Sequence, residues 1–171
     1  MSNIHILIAP MRAQPLHFGH EYYIRQLAET GDRVIILLNQ KQDFDNPFSF
    51  VVRQKWIGDF LSDNNIKHVI VPERFSQKKE IEYPLHADNK RFTVVTTNET
   101  DDTYRELCFR TLNHHVTQLA EPAGAALLPG YNIPIANTGR LIRDRLRREL
   151  PCHHLLSENV EKEARTLINS T

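Results

Sequence analysis

The sequence predicts an α/β protein: an open parallel sheet with helices on both faces, folded as one domain over residues 1–171. Three observations predict it. Short apolar runs alternate with stretches of helical periodicity, as parallel βαβ units require. Residues rich in Pro, Gly and Asn fall between them. The composition, 40% hydrophobic and 25% charged, is that of a chain able to bury a continuous core.

The first apolar run, Ile4–Ala9, reads as a buried strand, and Pro10–Gly19 reads as a loop. From His20 the pattern is helical, with Tyr23, Ile24, Leu27 and Ala28 on one face and Gly31 as the stop. Val34–Leu38 is the second strand. Asn46-Pro47 has the form of a helix start, Asn as cap and Pro in the first turn. Phe48, Val52, Trp56 and Phe60 then recur every fourth residue, the spacing of a core-facing helix.

Lys67–Val71 and Phe92–Thr97 read as further strands, and Tyr104, Leu107, Cys108 and Leu112 fit a helix between later elements. Ile133–Ala136 is a short strand leading into a basic helix at Thr138–Leu150. The last helix follows Ser157, with Val160, Ala164, Leu167 and Ile168 on one face. Such sheets bind ligands beyond the carboxyl ends of their strands, where loops turn into helix N-termini.

Composition excludes several classes. The formal net charge is zero, so bulk charge does not make this a nucleic-acid binder. The two cysteines, Cys108 and Cys152, show no repeated spacing and read as reduced thiols. No apolar segment approaches the ~20 residues that span a bilayer, and the N-terminus lacks the form of a signal peptide. A cytoplasmic protein with no membrane partner is expected. No P-loop or Gly-x-Ser-x-Gly segment occurs.

Three segments carry unusual polar chemistry at the expected loop-to-helix junctions. In Met11-Arg12-Ala13-Gln14-Pro15-Leu16-His17-Phe18-Gly19-His20, two histidines flank a glycine. Imidazole N–H groups donate to phosphate oxygens, Gly19 allows close backbone approach, and the following helix N-terminus favours an anion. The plain alternative is a turn with two incidental histidines. In the second segment, Ser49 and the first-turn N–H groups can hold an anion, with Arg53 a turn later; the alternative is capping plus a solvated arginine. In the third, Thr138-Gly139-Arg140-Leu141-Ile142-Arg143 opens a basic helix whose Arg140, Arg143 and Arg147 share a face. It reads as a phosphate site with bidentate donors or as a solvated basic face.

Arg12-x-Gln14-Pro15-x-His17-x-Gly19-His20 closely resembles the signature of the nucleotidyltransferase superfamily, in the extended form of archaeal-type nicotinamide-nucleotide adenylyltransferases. Asn46-Pro47-Phe48-Ser49 with Arg53, and Thr138-Gly139-x-x-Ile142-Arg143, resemble two later motifs of that family. Four departures stand out: Met11 for glycine, Ala13 for phenylalanine, Val52 for glutamate and Arg140 for a hydroxyl residue. Asn98 matches an asparagine after a central strand. The resemblance is weak from about Glu73 to Arg91, where Phe75 and Tyr83 are candidates to stack on the acceptor; Trp56, at core spacing, reads as structural.

The resemblance implies a Rossmann-like sheet of the nucleotidyltransferase type and transfer of AMP from ATP to nicotinamide mononucleotide, giving NAD and pyrophosphate. It implies His17, His20 and Arg143 as catalytic residues. Arg12, Gln14, Gly19, Thr138, Gly139 and Arg140 would bind ATP, and Ser49, Arg53 and Asn98 the acceptor. Mg²⁺ would accompany ATP, with no metal-ligating side chains in the chain itself. Homo-oligomeric assembly is implied by resemblance only. The other readings are transfer to a different acceptor such as phosphopantetheine, by an adenylyl- or cytidylyltransferase, and a nucleotide-binding sensor without catalysis. His114-His115 and His153-His154 lack zinc-site spacing, and Asp43, Asp45, Asp101 and Asp102 read as turn or cap residues.

Overall fold

A computed structural model describes residues 4–30, 33–72, 90–96, 115–118 and 138–170. Five strands form one sheet: β1 (Ile4–Met11), β2 (Arg33–Leu38), β3 (His68–Pro72), β4 (Lys90–Thr96) and β5 (His115–Gln118). Their order is β3-β2-β1-β4-β5, and every pairing is parallel. Helices α1 (Phe18–Thr30) and α2 (Phe50–Asp63) make the first two crossovers. Helices α3 (Thr138–Arg147) and α4 (Glu158–Ile168) follow later in the chain. The chain winds outward from β1 to β3, then resumes at β4 on the other side of β1. The carboxyl end of β1 is therefore a topological switch point, the place where open parallel sheets bind ligands.

Val34–Leu38 of β2 are all buried, as expected of a central parallel strand covered on both faces. One core cluster joins Val34, Ile36 and Leu38 to Ile24 of α1, Trp56, Ile57, Phe60 and Leu61 of α2, Ile142 and Leu146 of α3, and Val160, Ala164 and Ile168 of α4. Trp56 meets Phe48 edge-on, ring centroids 5.2 Å apart, and its indole N–H donates to Glu163 across to α4 at 2.8 Å. The structural role expected of Trp56 is thus what the fold gives it. The Phe18 N–H donates to the Leu155 carbonyl at 2.9 Å, tying the start of α1 to the α3–α4 connection.

Several boundaries differ from expectation, each for a local reason. β1 runs on to Met11, whose carbonyl accepts from Asn39 N–H, and α1 begins two residues early at Phe18. α2 does not start at Asn46-Pro47. The Asp43 carboxylate captures the Asn46 backbone N–H at 2.9 Å and its side-chain amide at 2.8 Å, so Asn46 closes a turn instead. Those bonds hold Asp43 down to about pKa 2, the Asn46 side chain being the first cause. Ser49 is the cap, its Oγ accepting from Val52 N–H at 3.4 Å.

α3 ends at Arg147, not Leu150. Glu149 takes a left-handed φ of 57°, and paired bonds from Glu149 N to Leu146 O and Leu150 N to Arg145 O close a Schellman motif. Strand β5 was not expected, because His115-Val116-Thr117-Gln118 holds a single apolar residue; parallel pairing with β4 defines it. The expected helix carrying Tyr104, Leu107, Cys108 and Leu112, and the strand Ile133–Ala136, lie outside the described residues. So do Phe75, Tyr83, Asn98, Asp101, Asp102 and His114. Cys152 is a free, buried thiol. No helix among the described residues is long and apolar enough to cross a membrane.

Candidate active site

The loop leaving β1 is held from below by two buried polar side chains. Gln14 spans the Phe48 backbone, its Nε2 donating to the Phe48 carbonyl at 2.9 Å and its Oε1 accepting from Phe48 N–H at 3.0 Å. Arg53 is fully buried and donates to four carbonyls. Its Nη1 reaches Arg12 at 2.7 Å and Asn39 at 2.8 Å; its Nε reaches Phe48 at 2.9 Å and Ser49 at 3.2 Å. The ends of β1 and β2 and the start of α2 are thereby fixed to one guanidinium.

Gln14 and Arg53, expected to contact ATP and the acceptor, both hold backbone groups here. The Gln14 amide is committed to Phe48, and Arg53 spends Nε and Nη1 on carbonyls while its Nη2 is buried with no hydrogen-bond partner among the described residues. Ser49 correspondingly serves as the α2 cap. Two of the departures at this site concern packing: Met11 is half-buried against the core cluster, and Ala13 is fully buried with φ 49°.

The two imidazoles sit at the start of α1. His17 Nδ1 accepts from Gly19 N–H at 3.1 Å, and His20 Nδ1 accepts from His17 N–H at 3.4 Å. A ring nitrogen that accepts carries no proton, so both neutral rings hold theirs on Nε2. The rings lie 3.8 Å apart, tilted by 33°. Burial drives His17 well below its ordinary pKa, with His20 and Arg143 adding to the effect, and burial brings His20 down to about 4. At neutral pH each ring is an uncharged N–H donor.

The first turn of α3 comes to the same place. A methyl group built on Gly139 would stand 3.2 Å from Arg143 Nη1, 3.5 Å from the Gln14 carbonyl and 4.0 Å from His17 Nε2. A side chain here would press on the Arg143 guanidinium, because the helix start abuts the loop. Thr138 is buried beside it. Arg143 Nη1 donates to the Gln14 carbonyl at 2.7 Å, 129 residues away in the chain. Burial lowers the Arg143 pKa; Arg147, Arg12 and Arg140 push the same way and Asp45 opposes them.

Beyond Arg143 opens a cleft of about 590 Å³, lined by Arg12, Arg140, Arg143 and Arg147 with Phe44, Asp45 and Asp144. The shared helical face of the three α3 arginines is thus observed. Phe44, 77% exposed, carried no signal in the sequence, since a lone aromatic in a polar stretch has no periodicity. A second cleft of about 730 Å³ lies between α2 and α4, around Trp56 and Glu163, and contains none of these donors. Among the described residues no group of three or more His, Cys, Asp or Glu is placed to hold a metal. His153 and His154 are both exposed.

Comparison with known proteins bears on the fold. No family model matches the chain. A nicotinamide-nucleotide adenylyltransferase of Methanolobus tindarius is 33% identical over 73 residues, 41% of this chain and 42% of that protein. The chain thus matches less than half the length of that relative. A bifunctional NMN adenylyltransferase/ADP ribose pyrophosphatase from Francisella tularensis superposes with a TM-score of 0.67 at 18% identity, covering 99% of this chain and 53% of that one. Its structure with AMP and a manganese ion gives 0.65 at 18% identity, covering 97% and 52%. A Vibrio parahaemolyticus protein assigned as a nicotinate-nucleotide adenylyltransferase gives 0.63 at 15% identity, covering 98% and 97%. The fold is the Rossmann-like α/β fold of these adenylyltransferases, as the motifs implied.

Proposed function

We propose that the chain is an adenylyltransferase, carried by a single domain, that moves AMP from ATP to nicotinamide mononucleotide and releases pyrophosphate. The observation that carries this reading is the meeting of His17 Nε2, the Gly139 turn and Arg143 at the carboxyl end of β1. Two neutral N–H donors, a helix N-terminus and a guanidinium make one continuous row of anion donors.

In this reading an oxygen of the acceptor 5′-phosphate attacks the α-phosphorus of ATP. A new P–O bond forms as the bond to the bridging α,β-oxygen breaks, and pyrophosphate takes the electron pair. The nucleophile is already ionised, so no side chain need remove a proton. His17 and His20 donate from Nε2 to oxygens on which charge grows. Thr138, the first-turn N–H groups of α3 and Arg143 hold the departing phosphates. Gln14 and Arg53 keep the loop in register, and Arg12 faces the same cleft. Catalysis is then positioning and charge stabilisation, the usual pattern for phosphoryl-type transfer.

Mg²⁺ enters as part of the ATP substrate and screens the phosphate charge. The Francisella tularensis neighbour solved with AMP and a manganese ion supports the use of a nucleotide together with a divalent metal. Asn98, outside the described residues, remains assigned to the acceptor by motif alone. A cytoplasmic enzyme acting on small nucleotides, independent of nucleic acid and membrane and assembling as a homo-oligomer, completes the proposal.

The test is an acceptor screen on purified protein with ATP and Mg²⁺, reading pyrophosphate. Nicotinamide mononucleotide should give NAD and pyrophosphate in equal amounts. Release only with phosphopantetheine would reassign the acceptor. Tight ATP binding with no acceptor turned over would replace the enzyme by a sensor.

A further inference from the structure

We propose that Glu163 of α4 is a positioning residue for the loop that carries His17 and His20, acting through Trp56 and Phe48. The reading of that loop as catalytic rests on the adenylyltransferase proposal; the contacts themselves do not. Glu163 Oε2 accepts the Trp56 indole N–H at 2.8 Å, and the Trp56 ring meets the Phe48 ring edge-on, centroids 5.2 Å apart. Phe48 is the residue that the Gln14 side chain clamps on both backbone groups, and the Gln14 carbonyl accepts from Arg143. An unbroken series of contacts thus leads from α4 to the two segments proposed to hold phosphate.

Phe48 lies just ahead of the Ser49 cap, and its backbone groups bond to the side chains of Gln14 and Arg53 rather than to a helix or strand ladder. Its buried ring therefore sets where those groups stand. Trp56, also buried, is the large ring packed against it. Trp56 borders the cleft of about 730 Å³ between α2 and α4, which leaves an untethered indole room to turn away from Phe48. The bond to Glu163, which lines the same cleft, holds the ring in place. A buried indole N–H needs an acceptor, and a charged one binds it more firmly than a neutral one.

Glu163 has a second neighbour. Lys55 Nζ lies 3.8 Å from the same oxygen and 3.1 Å from Asp59 Oδ2. Those ion pairs are exposed on the lysine side and contribute little. The indole bond is the one that constrains a buried group. Such a constraint matters far from the phosphates, because a shift of about 1 Å in a catalytic constellation can cost a hundredfold in rate. Glu163 touches no reacting atom in this account; it acts on the loop through two aromatic rings.

The experiment compares the full chain with Glu163→Leu, which removes the acceptor, Glu163→Gln, which keeps an acceptor oxygen, and Lys55→Met, which removes the ion pairs alone. Trp56 is the single tryptophan, so its emission reports its own setting. The imidazole NMR signals of His17 and His20 report the loop, and neither readout needs a ligand. Glu163→Leu should red-shift the emission, move both imidazole signals and lower kcat for NAD formation about tenfold, with the acceptor KM unchanged. Glu163→Gln and Lys55→Met should match wild type. Trp56→Phe, which lacks the N–H, should lower kcat similarly, and adding Glu163→Leu to it should cost nothing further. A Glu163→Leu protein that is less stable yet keeps wild-type signals and kcat would overturn the proposal, as would Glu163→Gln behaving like Glu163→Leu. The adenylyltransferase reading fails separately. Signals that move in Glu163→Leu and not in Glu163→Gln, with no acceptor turned over by wild type, would keep the tether and remove the enzyme. NAD formation with signals and kcat indifferent to Glu163 would do the reverse.

Discussion

Arg143 donates to the Gln14 carbonyl at 2.7 Å and so fastens the last basic helix to the loop that carries the two histidines. Neither residue is near the other in sequence, and the bond fixes the separation of the two segments proposed to hold phosphate. Gln14 is itself clamped on Phe48, so the register passes from α3 through the loop to the start of α2. Four expectations follow from this arrangement.

Replacing His20 with alanine removes one Nε2–H donor from the reacting phosphates while the sheet and its core are untouched. Loss of a donor to developing charge lowers kcat by about 10²–10³-fold. Steady-state NAD formation should show that drop, with thermal midpoints close to wild type. An unchanged kcat would remove His20 from the chemistry.

Arg53→Lys should destabilise the fold without a specific effect on turnover of the protein that remains folded. Lysine cannot serve four carbonyls around a planar fork, and buried acceptors are left unpaired. The cost is about 3 kcal/mol or more on the usual scale for such groups. Urea unfolding midpoints measure it; a variant as stable as wild type would show that the clasp is dispensable.

The buried imidazoles set a pH dependence of stability with a definite sign. Unfolded histidine titrates near its ordinary value of 6.5, whereas folded His20 does so only at about 4 and folded His17 is also held far down. Above pH 7 both states are neutral and the groups contribute no slope. As pH falls below 6.5 the unfolded state takes up protons first, so stability is lost; the His20 share levels off below pH 4. The slope approaches about 1.4 kcal/mol per pH unit for each imidazole. Glu21, whose pKa burial raises, acts in the opposite sense, so the informative quantity is a difference. Urea midpoints at pH 7.5 and 5.0 should converge when His17 and His20 are both changed to Asn. Equal pH sensitivity in that double variant would contradict the assignment.

Gly139→Ala places a methyl group 3.2 Å from Arg143 Nη1 and 3.5 Å from the Gln14 carbonyl. Relief requires Arg143 to move, at about 1 kcal/mol or somewhat more for an overpacked contact. The expected result is a kcat/KM for ATP lower by about tenfold with little change in the acceptor KM. A fall in the acceptor KM term alone would place Gly139 elsewhere in the reaction.

Much of this was legible in the sequence because its causes are local. Apolar runs marked β1 to β4, the fourfold spacing found Trp56 and Phe60 of the α2 core face but also took in Phe48, which precedes α2, and half-buried Val52, and Val160, Ala164 and Ile168 marked the buried side of α4. His17, His20, Gly139 and Arg143 stood out in the sequence because their types and spacing suit an anion, and the fold brings His17, Gly139 and Arg143 to one place. What escaped depends on partners distant in the chain. Arg53 reads as an acceptor-phosphate ligand or a solvated arginine, and its burial among the carbonyls of Arg12 and Asn39 has no signal in the sequence. Asn46 has the type of a helix cap, yet Asp43 competes for its amide and Ser49 caps instead. Phe44 gains meaning only from Arg147, 103 residues later.

The central claim is that the imidazole pair and α3 hold one and the same triphosphate. A crystal structure of the chain with Mg²⁺ and a non-hydrolysable ATP analogue tests it directly. The Nε2 atoms of His17 and His20, the first-turn N–H groups of α3 and the Arg143 guanidinium should all lie within hydrogen-bond reach of a single phosphate chain. Phosphates seated on one of these groups while the others face solvent would contradict it.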